Sequence, residues 1–392
     1  MALAVRRTAA AALLGLGTAV AAVAACQSNE PFGPPVSGFA GSGGGAGDNF
    51  VGGGAGGPPA LDAGGLCGNQ IHEVISNAPN VYFVLDASGS MGAPVNAYTR
   101  YELLRKAAVG LVKDLGPLIN VGAAVFPLDA SDDELCAVGG EVMPVLPGDP
   151  DGNGPITNKF RHAIDVPPFG GTPTSPTLAE LFPAIATLPG QTVVILVTDG
   201  GPNCNIGAAC DGDMCLPNLE GCSGASCCSA GGNCCEPGEA AGPESCLDAV
   251  ATNAALADYA AAQIPVHVVG IPGSEIYEDV LSQMALAAGT ASAEPPFYTA
   301  VNDMGELSEA LSTIAAVAIS CIFELNDPPL EAGSTNVYLD GAVVPADPQN
   351  GWRFMNPELS RIELLGDACS SLKAGKVKTV QIVTGCPTEP AK

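Results

Sequence analysis

The sequence predicts an α/β fold, a doubly wound and mostly parallel sheet, on three observations. Short apolar runs at 81–85, 121–126 and 192–198 have strand length and no polar alternation, as expected of strands covered on both faces. Segments of helical period separate them, so strands and helices alternate along the chain. Two of the runs stop at an acid, Asp86 and Asp199. In open parallel sheets ligands bind at the carboxyl ends of the strands, where the winding reverses, so both acids are expected there.

The elements follow in order. Residues 1–25 hold Arg6 and Arg7, an apolar Ala/Leu/Val run and a small-residue end, which is the pattern of an export signal rather than a structural helix. The run closes on Val23-Ala24-Ala25-Cys26 and resembles a bacterial lipobox. That resemblance implies lipidation of Cys26, a lipid-anchored place in the cell envelope and, with Gln27 rather than Asp next, sorting to the outer membrane. The competing reading is an ordinary signal that leaves Cys26 as a structural thiol. No later stretch has the roughly 18 apolar residues that a spanning helix needs, so the lipid is the expected membrane attachment. Residues 26–66 read as a tether. Its last 40 positions hold 14 Gly and 5 Pro and no hydrophobic period, and such a chain has an r.m.s. reach on the order of 35 Å.

Residues 67–320 are expected to form the α/β domain. After the 81–85 strand, Leu103, Leu104, Ala107, Ala108, Leu111, Val112 and Leu115 fall at helical spacing. The 121–126 strand follows, then a helix at 177–188 and the 192–198 strand. An Ala-rich helix at 246–262, a strand at 265–271, a helix at 276–288, a short strand at 297–300 and a helix at 303–320 complete the series. Residues 321–392 change to short alternating segments with an Asp340-Gly341 hairpin signal, and read as a compact antiparallel unit.

Three loops carry chemistry. Asp86-Ala87-Ser88-Gly89-Ser90-Met91-Gly92 places a carboxylate and two hydroxyls at i, i+2 and i+4 on a turn tightened by glycine. Hard divalent cations take such oxygens. Pro168-Phe169-Gly170-Gly171-Thr172-Pro173-Thr174 adds a hydroxyl ahead of a helix, and Val197-Thr198-Asp199-Gly200-Gly201-Pro202 adds a second carboxylate. Together these loops resemble, in order, the metal-ion-dependent adhesion site of von Willebrand factor type A domains. The resemblance covers about residues 78–320. It implies that Ser88, Ser90 and Thr172 ligate a Mg²⁺ or Mn²⁺ ion directly and Asp86 through water and its hold on the loop. Asp199 ligates through water or directly, and one position is left for a partner's carboxylate. The competing reading is a strand-to-helix turn with serine capping.

No H-E-x-x-H or P-loop is present, and His72, His162 and His267 lie before the fold, beside a loop and inside a strand. The chain is therefore read as a binding protein, not an enzyme. The stretch 203–245 departs from the resemblance, being Cys-, Gly- and Asn-rich. Nine cysteines fall between Cys204 and Cys246, and in an exported chain they read as a disulfide-knotted cap beside the metal face. Alternatives are a zinc–thiolate site and a stabilised loop without a ligand. An odd count requires a partner outside, and Cys136 is the nearest by topology. Cys67–Cys321 and Cys369–Cys386 are the expected closures of the tail.

Charge narrows the partners. Lys and Arg number 14 against 41 Asp and Glu, a net charge of −27, and no base occurs from residue 163 to 351, where 23 acids lie. Nucleic acid and anionic lipid surfaces need clustered cations and are excluded. Asp149-Pro150-Asp151-Gly152-Asn153-Gly154 opens like a calcium loop but has Phe160 at the twelfth position, so Ca²⁺ there competes with a plain polar turn. The function expected is an envelope-anchored lipoprotein binding a protein or extracellular-matrix ligand through a divalent metal. The alternative is an envelope assembly scaffold with structural metal, whose cap or C-terminal unit makes the contacts.

Overall fold

The computed structural model describes residues 70–390 apart from 73, 76–77, 132–133, 151, 222–231 and 240. The export signal, Cys26, the tether and Cys67 lie outside the described residues.

Six strands make the central sheet, in the spatial order Thr299–Ala300, Val266–Gly270, Thr192–Thr198, Asn80–Asp86, Asn120–Phe126 and Gly140–Pro147. The first five are parallel, and Gly140–Pro147 joins antiparallel at the edge. All seven residues of Asn80–Asp86 and of Thr192–Thr198 are buried, because successive side chains face opposite helical layers. Val81, Phe83 and Leu85 pack with the helices Arg100–Leu115, Pro155–Ala163 and Met304–Ala318. Tyr82 and Val84 pack with Thr174–Ile185, Ala249–Ala261 and Glu278–Ala287. The alternating apolar–apolar run is thus the signature of a two-sided layer, and the doubly wound α/β class is the one expected.

The winding reverses at Asn80–Asp86. The chain leaves this strand to form its neighbour Asn120–Phe126 on one side, then returns to form Thr192–Thr198 on the other. Asp86 therefore ends the strand at the switch point, with Asp199 following the next strand over. The Arg100–Leu115 helix begins with a capping box: Glu102 N–H donates to the Thr99 hydroxyl at 3.1 Å, and Thr99 N–H donates to the Glu102 carboxylate at 2.8 Å. This makes Arg100 the first helical residue and fixes its place beside the switch point.

The C-terminal strands form two four-stranded antiparallel sheets rather than one. Gln70–His72, Val380–Thr384, Thr335–Leu339 and Ala342–Val344 make the first, and Trp352–Phe354, Arg361–Leu364, Ile322–Leu325 and Val74–Ile75 the second. Each takes one strand from ahead of the α/β segment, so chain on both sides of that segment is woven together. Val337, Trp352, Ile362, Leu364 and Ile382 share one apolar cluster with the Arg100–Leu115 face.

The expected tail disulfides are corrected. Cys321 bonds Cys369, not Cys67, because the Asp367–Lys373 helix brings Cys369 to the start of the Ile322–Leu325 strand. Cys386 is itself disulfide-bonded, and Cys369 is not its partner. No helix among the described residues is long and apolar enough to cross a membrane.

Candidate metal centre

Asp86 is fully buried. One carboxylate oxygen accepts from Ser88 N–H at 2.8 Å and the other from the Thr198 hydroxyl at 2.5 Å. The first bond folds the loop back on the strand end, and the second ties it to the neighbouring strand. Ser88, in extended conformation, leads into the 3-10 turn Gly89–Gly92, and Ser88 Oγ and Ser90 Oγ lie 3.1 Å apart. The Ser90 hydroxyl donates onward to Asp199 Oδ1 at 2.8 Å. Four of the five predicted oxygen donors thus form one hydrogen-bonded group across two loops.

Asp199 is 1 % exposed, and its second oxygen pairs with Arg100 Nη1 at 2.6 Å. Burial first, then the negative charge of Asp199, pushes the Asp86 carboxyl up to about 7. Burial likewise raises Asp199, against the Ser90 hydroxyl and Arg100, which lower it. Two carboxylates removed from water beside one another favour a cation between them, since a buried charge without a partner is costly.

The Thr172 loop is locked against the same turn. Gly89 N–H donates to Gly170 O at 2.9 Å and Phe169 N–H to Ala87 O at 2.9 Å. Thr172, 4 % exposed, donates its N–H to Asn203 Oδ1 at 2.7 Å and receives Asn203 N–H on its carbonyl at 2.9 Å. The Cys136–Cys204 disulfide lies on this contact. A Cβ on Gly171 would sit 2.5 Å from Cys204 Sγ and 3.5 Å from Cys136 Sγ, so only glycine lets the loop approach. Cys136, the outside partner expected from topology, therefore joins the loop after Asn120–Phe126 to the loop after Asp199.

The cysteine-rich segment is seated beside Asp199. Cys204 N–H donates to Glu244 O at 2.8 Å, Asp248 N–H to Pro202 O at 2.7 Å, and the Tyr277 hydroxyl to Glu220 at 2.6 Å. Cys210–Cys246 and Cys215–Cys235 are disulfides, and Cys234 is bonded as well. The sulfurs of Cys210, Cys235 and Cys246 lie within 4.8 Å of one another, yet each is oxidised. These three offer no thiolate, so among the described residues the disulfide reading stands over zinc; Cys222, Cys227 and Cys228 lie outside the described residues.

The donor set suits a hard divalent ion. Asp86, Ser88, Ser90, Thr172 and Asp199 offer carboxylate and hydroxyl oxygens only, on loops held by backbone hydrogen bonds. The Asp149 turn is different. Its carboxylate accepts Ile156 N–H at 3.0 Å and Thr157 N–H at 2.6 Å, starting the Pro155–Ala163 helix, and Asp151 lies outside the described residues. His72 bonds Asp327 O and Thr384, while His267 lies inside the Val266–Gly270 strand.

Sequence reasoning missed Thr198, Asn203 and Arg100. Thr198 ends an otherwise apolar strand, so its hydroxyl needed a partner. Arg100 is the only Lys or Arg between residues 27 and 104. Asn203 carried no signal.

No protein-family model matches the chain, and no curated protein matches it. Solved structures similar to it include the pilus adhesin SpaC of Lactobacillus rhamnosus GG, at 14 % identity and TM-score 0.42, over 79 % of this chain and 38 % of that one. This chain thus spans well under half of that adhesin. The vWF domain of the type V pili tip protein Mfa5 of Porphyromonas gingivalis aligns at 16 % identity and TM-score 0.40, over 62 % and 95 %. Manganese-loaded TRAP of Plasmodium vivax aligns at 15 % and 0.38, over 66 % and 91 %.

Proposed function

We propose that this chain is an exported lipoprotein, held in the bacterial envelope by lipid on Cys26 and a Gly/Pro-rich tether, whose α/β domain works as a von Willebrand factor type A domain. It takes a Mg²⁺ or Mn²⁺ ion at Asp86, Ser88, Ser90, Thr172 and Asp199 and binds a protein or matrix ligand there. The observation that carries this reading is the continuous chain Asp86, Ser88, Ser90, Asp199 across two loops, with the Thr172 loop bonded to the first.

Each residue has a stated part. Asp86 holds the first loop closed and supplies negative charge from beneath. Ser88 and Ser90 supply neighbouring hydroxyl oxygens, and Thr172 would supply a third from a loop whose N–H is held by Asn203. Asp199 supplies the second charge. When bound, the ion offers an electrophilic position to a carboxylate of the ligand. The acids of the base-free stretch would slow the approach of an acidic ligand, so association should depend strongly on salt. In a cell with two membranes, Gln27 rather than Asp after the lipobox cysteine supports placement in the outer membrane.

The test is capture of the partner by the full chain with Mg²⁺ or Mn²⁺, with EDTA, and by Ser88→Ala. Capture is expected with metal alone and by the parent alone. Capture retained in EDTA by a folded protein would refute the metal-bridged mechanism and turn attention to the cysteine-rich cap or the C-terminal sheets.

A further inference from the structure

We propose that Arg100 is the resident counter-cation of this site, holding Asp199 in place when no divalent ion is bound and setting how tightly such an ion is taken. The inference rests on the metal-site reading above. Arg100 opens the Arg100–Leu115 helix and sends its guanidinium back over the Gly89–Gly92 turn. Nη1 lies 2.6 Å from Asp199 Oδ2 and 3.4 Å from the Ser90 carbonyl oxygen. The Asp199 side chain is wholly buried, and that of Arg100 is only 22 % exposed.

The slot is shaped for this side chain. On its other side lies Gly273, at φ +113°, where a Cβ would come within 2.3 Å of Nη2 and 2.4 Å of Cζ. Both the backbone conformation and the close approach require glycine. The loop bearing Gly273 follows the Val266–Gly270 strand, so the guanidinium is gripped between two strand ends and the helix start. The planar guanidinium packs flat where an ammonium would not.

Charge makes the placement consequential. Asp86 and Asp199 place two carboxyl groups out of water, and one guanidinium offsets at most one of their charges. The stretch that supplies Asp199 contains no Lys or Arg from residue 163 to 351. The cation must therefore come from elsewhere in the fold, and Arg100 supplies it. Asp199 is divided between two tasks: Oδ2 is held by Arg100, and Oδ1 accepts the Ser90 hydroxyl. A divalent ion then enters a half-neutralised site. It binds less tightly than two free carboxylates would allow, and its hold is completed by a ligand carboxylate.

The experiment titrates Mn²⁺ by calorimetry into the full chain as parent, Arg100→Gln and Arg100→Lys, with thermal unfolding of each in EDTA. Removing a unit charge this close to the ion should tighten Mn²⁺ binding by at least about tenfold in Arg100→Gln. Arg100→Lys keeps the charge and should keep Mn²⁺ affinity near the parent, although the ammonium fits the slot less well. In EDTA, Arg100→Gln should unfold at a lower temperature, and Mn²⁺ should restore the difference. Affinity in folded Arg100→Gln equal to or weaker than the parent would overturn the proposal, making Arg100 a mere support for Asp199. If neither parent nor Arg100→Gln binds Mn²⁺, the metal-site reading fails separately. The counter-cation role is then decided by Asp199→Asn. With Asn at 199, Arg100→Gln should no longer lower the unfolding temperature in EDTA, and an undiminished loss would refute it.

Discussion

Replacing Cys136 and Cys204 together by serine tests how the site is held. The disulfide closes 68 residues of chain. In the chain-entropy description, opening a loop of that length returns about 14.7 cal/mol/K to the unfolded state, or about 4.4 kcal/mol at 25 °C. The loop from 136 to 204 contains neither end of Cys210–Cys246 or Cys215–Cys235, so these crosslinks do not already impose that closure. At about 2.1 cal/mol/K per residue, roughly 300 described residues unfolding together give a melting entropy of about 0.6 kcal/mol/K, and the midpoint should fall by about 7 °C. A second effect is local. The disulfide lies on Gly171, and its Cys204 neighbour Asn203 holds Thr172 N–H, so the Thr172 hydroxyl should lose its fixed direction and Mn²⁺ affinity should drop. The assay is scanning calorimetry of parent and double-serine protein in EDTA, followed by Mn²⁺ titration. A midpoint within about 1 °C of the parent would refute the crosslink argument. An unchanged Mn²⁺ affinity would refute the claim that this bond orders the Thr172 loop.

Thr198→Val removes the hydroxyl that donates to Asp86, and leaving that buried oxygen unpaired should cost about 1–3 kcal/mol in urea unfolding; a change near zero would mean the bond carries nothing. Asp149→Ala should destabilise by about 1–2 kcal/mol through loss of its bonds to the Pro155–Ala163 helix start. Burial raises the Asp149 carboxyl, but the N–H groups of Thr157 and Ile156 outweigh it and the net shift is downward. Its contribution is therefore present above the unfolded carboxyl's titration and lost as pH falls below it, so parent and Asp149→Ala stabilities should converge in acid. Trypsin applied to the reduced, denatured chain should leave an uncut fragment bounded by Arg161 and Arg353, as no Lys or Arg lies between them; a cut inside it contradicts that reading.

The legible parts of the fold were those whose signal is local. Residues 81–85 and 192–198 are apolar without interruption because helices cover both faces, and the strand ends at Asp86 and Asp199 follow from the same burial. Gly140–Pro147 was not legible. It is a half-covered edge strand with Pro144 inside and a shifted register against Asn120–Phe126, so neither an apolar run nor clean alternation survives. The two C-terminal sheets each borrow a strand from residues 70–75, a pairing over hundreds of residues that no local pattern encodes. At the site, the serine spacing and the two acids could be read because loop geometry repeats in the residue types. Arg100 could not, since an arginine in a first helical turn reads as a solvated side chain until Gly273 and Asp199 are seen on either side of it. Disulfide pairing failed for Cys321 for a similar reason: the short Asp367–Lys373 helix that delivers Cys369 had no sequence signal of its own.

One divalent ion is expected where the three loops meet. Crystals of the chain grown with Mn²⁺ and measured at the manganese absorption edge test it most directly. The expected result is a single strong anomalous peak within coordination distance of the Ser88, Ser90 and Thr172 hydroxyls, flanked by Asp86 and Asp199, and absent from crystals of Ser88→Ala. No peak there, or a peak that persists unchanged in Ser88→Ala, would contradict it.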